Sequence, residues 1–285
     1  MSGNFGQIRV ALAQINPTVG DLEGNSNLIR EYANKSTEAG AQIVLYPEMV
    51  ITGYPVEDLA LRKTFRRASI NAVRKLAADI AADGNGELLS IVGYLDESEN
   101  GKPQNGVALI HRGEVVAKYI KHHLPNYGVF DEYRNFVSGG ASLVVRFYGV
   151  DIGIAICEDI WNLGDNPLYR ICPMDKMMDQ QPDILLNLSA SPFDYTHDED
   201  RKATIKANVL KYKKPLFYCN AVGSQTEIVF DGGSYAFDKD ANLCGALPLF
   251  ESAMQFFECN DDGTINAPII EPAARVPDKE LNPTD

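Results

Sequence analysis

Three residues in this sequence are of types that do chemistry, and each closes a strand-like run: Glu48, Lys121 and Cys157. Cys157 follows Val150 to Ile156, where Ile152, Ile154, Ala155 and Ile156 make a short apolar run. An apolar run without polar alternation suits a core strand. Glu158 and Asp159 come next and cannot continue such a strand, so the thiol stands at a strand end beside a turn. A fold can present a nucleophile to a pocket from such a place. Glu48 lies just past Ile43 to Leu45, a strand that Pro47 stops, because proline cannot sit inside a central strand. Lys121 lies at the far end of Val115 to Ile120. Strand ends are where open α/β sheets place ligands.

A thiol nucleophile needs a base for its proton and a cation or amide dipole for the developing oxyanion. Glu48 can be that base, Lys121 that cation, and the backbone N–H of Glu158 a second oxyanion donor. Each residue also has a plainer reading. Free cysteine is among the most buried residue types. A glutamate after a strand is usually solvated, and so is a strand-end lysine. Histidine is the commoner base for cysteine, and His111, His122, His123 and His197 leave that pairing open.

The elements that must position these residues read as alternating strands and helices. Ile8 to Ala13 is a first strand, and Asn25 or Ser26 caps a helix that Gly40 ends. Asp58 caps a long helix whose stripe includes Phe65, Val73, Leu76, Ala77 and Ile80. Leu88 to Leu95 is a third strand. Gly106 to Ile110 and Val115 to Ile120 make a hairpin around His111-Arg112-Gly113-Glu114. A loop, Leu124 to Ser138, leads to a second hairpin, Leu143 to Phe147 with Val150 to Ile156. A helix is expected over Pro167 to Met178 and a buried strand over Ile184 to Leu188. Asp198 caps a helix to about Tyr212. Strands are expected at Leu216 to Ala221 and Glu227 to Phe230, with Ser234 to Phe237 pairing back after Asp231-Gly232-Gly233. The pattern predicts an α/β fold of two related halves with their sheets packed together.

Bulk properties narrow the function classes. The 285 residues are 45% apolar, enough for a sizeable core, and carry a formal net charge of −13. That charge disfavours nucleic acid and anionic membrane surfaces as partners. No apolar run is long enough to span a bilayer, and the polar start, Met1 to Gly6, does not resemble a signal peptide. Five scattered cysteines without a Cys-x-x-Cys pair argue for reduced thiols in a cytoplasm. No metal-ligand spacing, dinucleotide fingerprint or Walker loop occurs. Glu271 to Asp285 carries three prolines and many charges, so residues 1–270 are expected to form the domain and 271–285 a linker or C-terminal arm.

Three segments in order, Tyr46-Pro47-Glu48, the Lys121 segment and Ile156-Cys157-Glu158-Asp159-Ile160-Trp161, resemble the nitrilase (carbon–nitrogen hydrolase) superfamily. The loop from Lys121 to Arg134, Asn187 to Phe193 and Val229 to Ser234 further resemble the N-terminal glutaminase domain of glutamine-dependent NAD+ synthetases. The resemblance implies a four-layer α-β-β-α sandwich, with Glu48 as proton acceptor, Lys121 as catalytic cation and Cys157 as nucleophile. Glu132 would match the further carboxylate held near the lysine. Tyr127 and Ser191 would match glutamine-binding positions, beside Glu158 at the turn. A third such position, usually Lys or Arg, falls on His197, with Arg201 or Lys202 as neighbouring cations that could take the contact. The implied partners are L-glutamine and an ATP-dependent NAD+ synthetase domain or subunit, in a homo-oligomer. The glutaminase step would need no cofactor, since ATP and Mg2+ would serve only a synthetase domain, expected to lie outside this sequence. The chain would then be a piece cut at a linker or a stand-alone subunit. The alternatives are a nitrilase-family amidase acting on another small amide or nitrile, and a catalytically silent domain.

Overall fold

A computed structural model describes residues 6–163, 169–225 and 227–267. Two mixed sheets pack face to face. The first contains β1 (Gln7–Gln14), β2 (Ile43–Leu45), β3 (Leu89–Glu97), β4 (Pro103–His111), β5 (Glu114–Ile120), β14 (Ala253–Asn260) and β15 (Ile265–Asn266), in the order β15-β14-β1-β2-β3-β4-β5. The second contains β6 (Leu143–Phe147), β7 (Val150–Ile156), β8 (Ile184–Ser189), β9 (Leu216–Asn220), β12 (Tyr235–Phe237) and β13 (Leu243–Ala246), in the order β13-β12-β9-β8-β7-β6. A separate two-stranded ribbon joins β10 (Val222–Gln225) to β11 (Ile228–Asp231).

Strand period two builds the layers. Val10 and Leu12 face inward and meet Ile152, Ile154, Ile156, Ile184, Leu186 and Leu188 from the other sheet. Ala11 and Ala13 face outward, against α1 (Leu22–Glu38) and α2 (Lys63–Ile80), through Ile29, Ala33, Val73 and Leu76. On the far side Ala155 and Leu185 pack against α4 (Pro173–Met178) and α5 (His197–Tyr212) through Met174, Met177, Ile205 and Val209. The result is the expected four layers, α-β-β-α. β7 buries both faces because it is sandwiched this way. Gly153 within it has a packing reason: a Cβ there would lie 2.5 Å from the Met177 sulfur.

Several boundaries differ from the sequence reading. α1 is capped by Asp21, whose carboxylate accepts from Gly24 N at 2.8 Å. Asn25 is buried instead and ties Thr18 to Ile51 through its amide. Asp58 lies in a 3-10 turn (Glu57–Leu61), and α2 starts after Arg62. Asp198 sits inside the first turn of α5, where it pairs with Lys202 at 2.7 Å. Tyr235 to Phe237 pairs with β9 and β13, not back onto β11. The expected helix from Pro167 is seen only over Pro173–Met178, and residues 164–168 lie outside the described ones. The proposed arm 271–285 also lies outside them. No helix among the described residues is long and apolar enough to cross a membrane.

Candidate active site

β1, β2 and β3 run parallel, and two antiparallel turns bring β5 back in the same direction. The C-terminal ends of β2 and β5 therefore share one edge of the first sheet. β7, β8 and β9 are likewise parallel and end together in the second. Glu48, Lys121, Cys157 and Ser191 all follow these ends.

Lys121 Nζ lies 2.7 Å from Glu48 Oε1 and 3.0 Å from Glu132 Oε1, and all three residues are at most 2% exposed. Asn105 Nδ2 also donates to Glu48 Oε1 at 2.7 Å, and Ala190 N, just past β8, donates to Oε2 at 2.9 Å. Glu48 is thus held from both sheets. Glu132 opens a one-turn helix, α3 (Glu132–Asn135), within what the sequence reads as loop, and accepts from Tyr54 OH at 2.9 Å. The Glu48 turn packs tightly on β3. A Cβ on Gly93 would come within 2.3 Å of Met49 N, so only glycine fits beneath it.

Cys157 is buried and has φ of 41°, left-handed for a residue with a side chain. Such backbone strain clusters at functional sites and costs of order 1–3 kcal/mol. It turns the thiol off the strand into a 3-10 turn (Cys157–Ile160). Burial and the Glu48 charge push the Cys157 thiol well above its ordinary value, and Lys121 opposes them only in part. The resting sulfur is a thiol. Burial works against the Lys121 charge, yet Glu132 and Glu48 outweigh it and hold the ammonium well above the usual lysine range. Burial raises the Glu132 carboxyl, Lys121 opposes and Glu48 adds to the rise. A protonated thiol, a carboxylate and a fixed ammonium can together run nucleophilic attack on a neutral carbonyl carbon.

Around this cluster lies a polar rim. Tyr127, 46% exposed, donates to Glu158 at 2.8 Å, and Tyr169 donates to the same carboxylate at 3.2 Å. Burial raises the Glu158 carboxyl, against these hydrogen bonds and Lys121. Ser191 Oγ lies 2.9 Å from His197 Nε2, and the imidazole stacks flat on Trp161 at 5.2 Å. Burial lowers the His197 pKa, and Arg201 adds to the fall while Asp231, Asp200 and Asp194 oppose it. Arg201 is buried on Asp231 at 2.9 Å, and Lys202 pairs with Asp198 and Glu199. Both neighbouring cations thus already have carboxylate partners.

The other rings have different partners. His111 meets Phe147 edge to face, His122 contacts Ala141 O, and His123 contacts Ile171 O and stacks on Tyr169. Asn105, Tyr54, Tyr169, Trp161 and Asp159 were not singled out from sequence. The short aromatic turn before Pro55 and the indole after Ile160 were the only local signals for Tyr54 and Trp161. Among the described residues no group of three or more His, Cys, Asp or Glu is placed to hold a metal ion.

Comparison with known proteins bears on the whole chain. It is 34% identical over 269 residues to the glutamine-dependent NAD(+) synthetase of Thermotoga maritima, covering 94% of this chain and 45% of that one. It is 30% identical to the enzyme of the same name from Acinetobacter baylyi, covering 88% and 44%. The chain thus spans a little under half the length of these relatives. A solved glutamine-dependent NAD+ synthetase from Acinetobacter baumannii, in complex with ADP, superposes with a TM-score of 0.83 at 29% identity, covering 94% of this chain and 48% of that one. An amidase from Nesterenkonia sp. shares the fold, with a TM-score of 0.76 at 23% identity and 92% coverage of both chains. Residues 9–264 match the family described as carbon-nitrogen hydrolase. Fold, strand-end chemistry and sequence therefore agree, and the chain belongs to the carbon–nitrogen hydrolase family.

Proposed function

We propose that this chain is a glutaminase domain that releases ammonia from L-glutamine through a Cys157 thioester. The ammonia supplies an ATP-dependent NAD+ synthetase domain or subunit. The observation that carries the reading is Glu48, held on one oxygen by Lys121 and on the other by Ala190 N, beside a thiol that burial keeps protonated. The relatives' names supply the substrate class.

Glu48 takes the Cys157 proton as the sulfur attacks the side-chain amide carbon. The Lys121 ammonium and the Glu158 N–H stabilise the oxyanion, and Glu132 fixes the lysine. Glu48 returns the proton to the departing nitrogen, so ammonia leaves and the thioester remains. Glu48 then takes a proton from water, whose oxygen attacks the thioester. Glutamate leaves as the proton passes back to sulfur. Positioned proton transfer of this kind contributes about 10²–10⁴ in rate. The steps use protein groups alone, and ATP and Mg2+ belong to the synthetase partner. The Glu158 carboxylate, approached by two phenols, suits the α-ammonium of an amino acid. Ser191 and His197 suit its carboxylate, and Tyr127 lies at the mouth. A cytoplasmic homo-oligomer is part of the same proposal.

The test is ammonia release by the purified chain from L-glutamine, asparagine and simple amides, with and without a synthetase partner. Glutamine should be preferred, and a glutamine-like electrophile should label Cys157. A preference for simple amides would sink the reading in favour of a stand-alone amidase.

A further inference from the structure

Asp159 lies two residues beyond the thiol and is fully buried. Its Oδ1 accepts from His122 N at 3.0 Å and His123 N at 2.9 Å, the two peptide groups that follow Lys121. Its Oδ2 accepts from Ile156 N at 3.0 Å, just before Cys157, and from Tyr119 OH at 2.8 Å, on β5. A carboxylate has about four lone-pair sites, and here four donors meet them. β5 is an edge strand of the first sheet and β7 belongs to the second, so no sheet ladder fixes their relative height. The Asp159 side chain spans that gap.

We propose that Asp159 is a positioning residue, a strut that registers the strand end carrying Lys121 against the one carrying Cys157. Its kinetic consequence rests on the hydrolysis proposed above, whereas its effect on the thiol does not. Displacing a reacting group by about 1 Å can cost about 10²-fold in rate. The strut is distinct from the acid–base groups, since Asp159 hydrogen-bonds to none of Glu48, Lys121 Nζ or Cys157 Sγ in the described contacts.

Asp159→Asn keeps the shape and removes one acceptor. Whichever way the amide turns, its NH2 faces peptide N–H donors, either those of His122 and His123 or that of Ile156. Tyr119→Phe removes a single donor and leaves the backbone contacts. Both variants of the full chain are measured three ways: the rate of Cys157 alkylation by iodoacetamide, kcat per site titrated to completion with a glutamine-like electrophile, and Tm. Asp159→Asn should slow alkylation about 10-fold and lower kcat per titrated site about 10²-fold, with KM changed by less than about 3-fold. Tyr119→Phe should shift both rates the same way by a smaller factor. A merely structural role would lower Tm and the number of titratable sites but leave both per-site rates alone, and that result overturns the proposal. If Asp159→Asn fails to fold, unchanged per-site rates in folded Tyr119→Phe overturn it. If the parent chain alkylates normally but does not hydrolyse glutamine, the glutaminase reading falls and the alkylation comparison still decides the strut.

Discussion

The Glu48–Lys121–Glu132 cluster and the rim side chains Tyr127 and His197 are held on different terms, although Glu158, which Tyr127 meets, is itself buried. In the cluster every named group is nearly sealed from water and Lys121 is fixed between two carboxylates. In the rim Tyr127 is half exposed, and the imidazole of His197 rests on an indole with one hydroxyl partner. A buried charge network is costly to break, because removing one member leaves its partner uncompensated. A half-exposed contact can change at modest cost. The chemistry should therefore be rigid and the grip on substrate adjustable.

Mutations can break that division or sharpen it. The largest effect is expected from Cys157→Ala, which should cut glutamine turnover by more than about 10⁴-fold with little change in Tm, followed by an ammonia assay. Glu48→Gln should lower kcat by about 10²–10⁴-fold and yield no thioester that mass spectrometry can trap, because in the proposed mechanism the same carboxylate serves both halves of the reaction. Lys121→Ala should cost about 10²–10³-fold in kcat and also lower Tm, since Glu48 and Glu132 would then face each other uncompensated. A Lys121 variant that raised KM and kept kcat would erase the distinction between cluster and rim.

The smallest effect belongs to His197. Its depressed pKa leaves the ring neutral at pH 7 and charged only at lower pH. The KM for glutamine should therefore fall as pH drops through and below the ordinary histidine range, a few-fold overall. His197→Arg, permanently charged, should flatten that pH dependence while kcat stays close to the parent value. Stopped assays of KM against pH for the two proteins decide it.

The parts legible in the sequence were those that local signals write. Apolar runs cut short by Pro47 or by Glu158-Asp159 marked the strand ends, and alternation of strands and helices pointed to two packed α/β halves, while the four layers came with the family resemblance. Relations between distant segments were not written locally. Asn105 and Tyr54 acquire meaning only when β4 and the Tyr54 turn meet Lys121 and its carboxylates. Asp159 reads as a second acid after a nucleophile until its four donors are seen. Arg201 looked available as a cation, whereas Asp231, thirty positions on, claims it. β14 escaped notice because adjacent Phe256 and Phe257 blur its alternation; Phe257 enters the inter-sheet core and Phe256 the opposite face.

That last strand bears on how the domain is made. β14 pairs with β1 along its whole length, from Gln7 opposite Asn260 to Gln14 opposite Ala253. During synthesis one side of β1 must wait for more than 200 further residues, with its N–H and C=O groups open to any passing strand. Pairings this remote in sequence fold slowly and leave an aggregation-prone edge in the meantime. The ribosome must release almost the whole domain before the first sheet can close, and chains stopped before Ala253 should be captured by chaperones rather than fold.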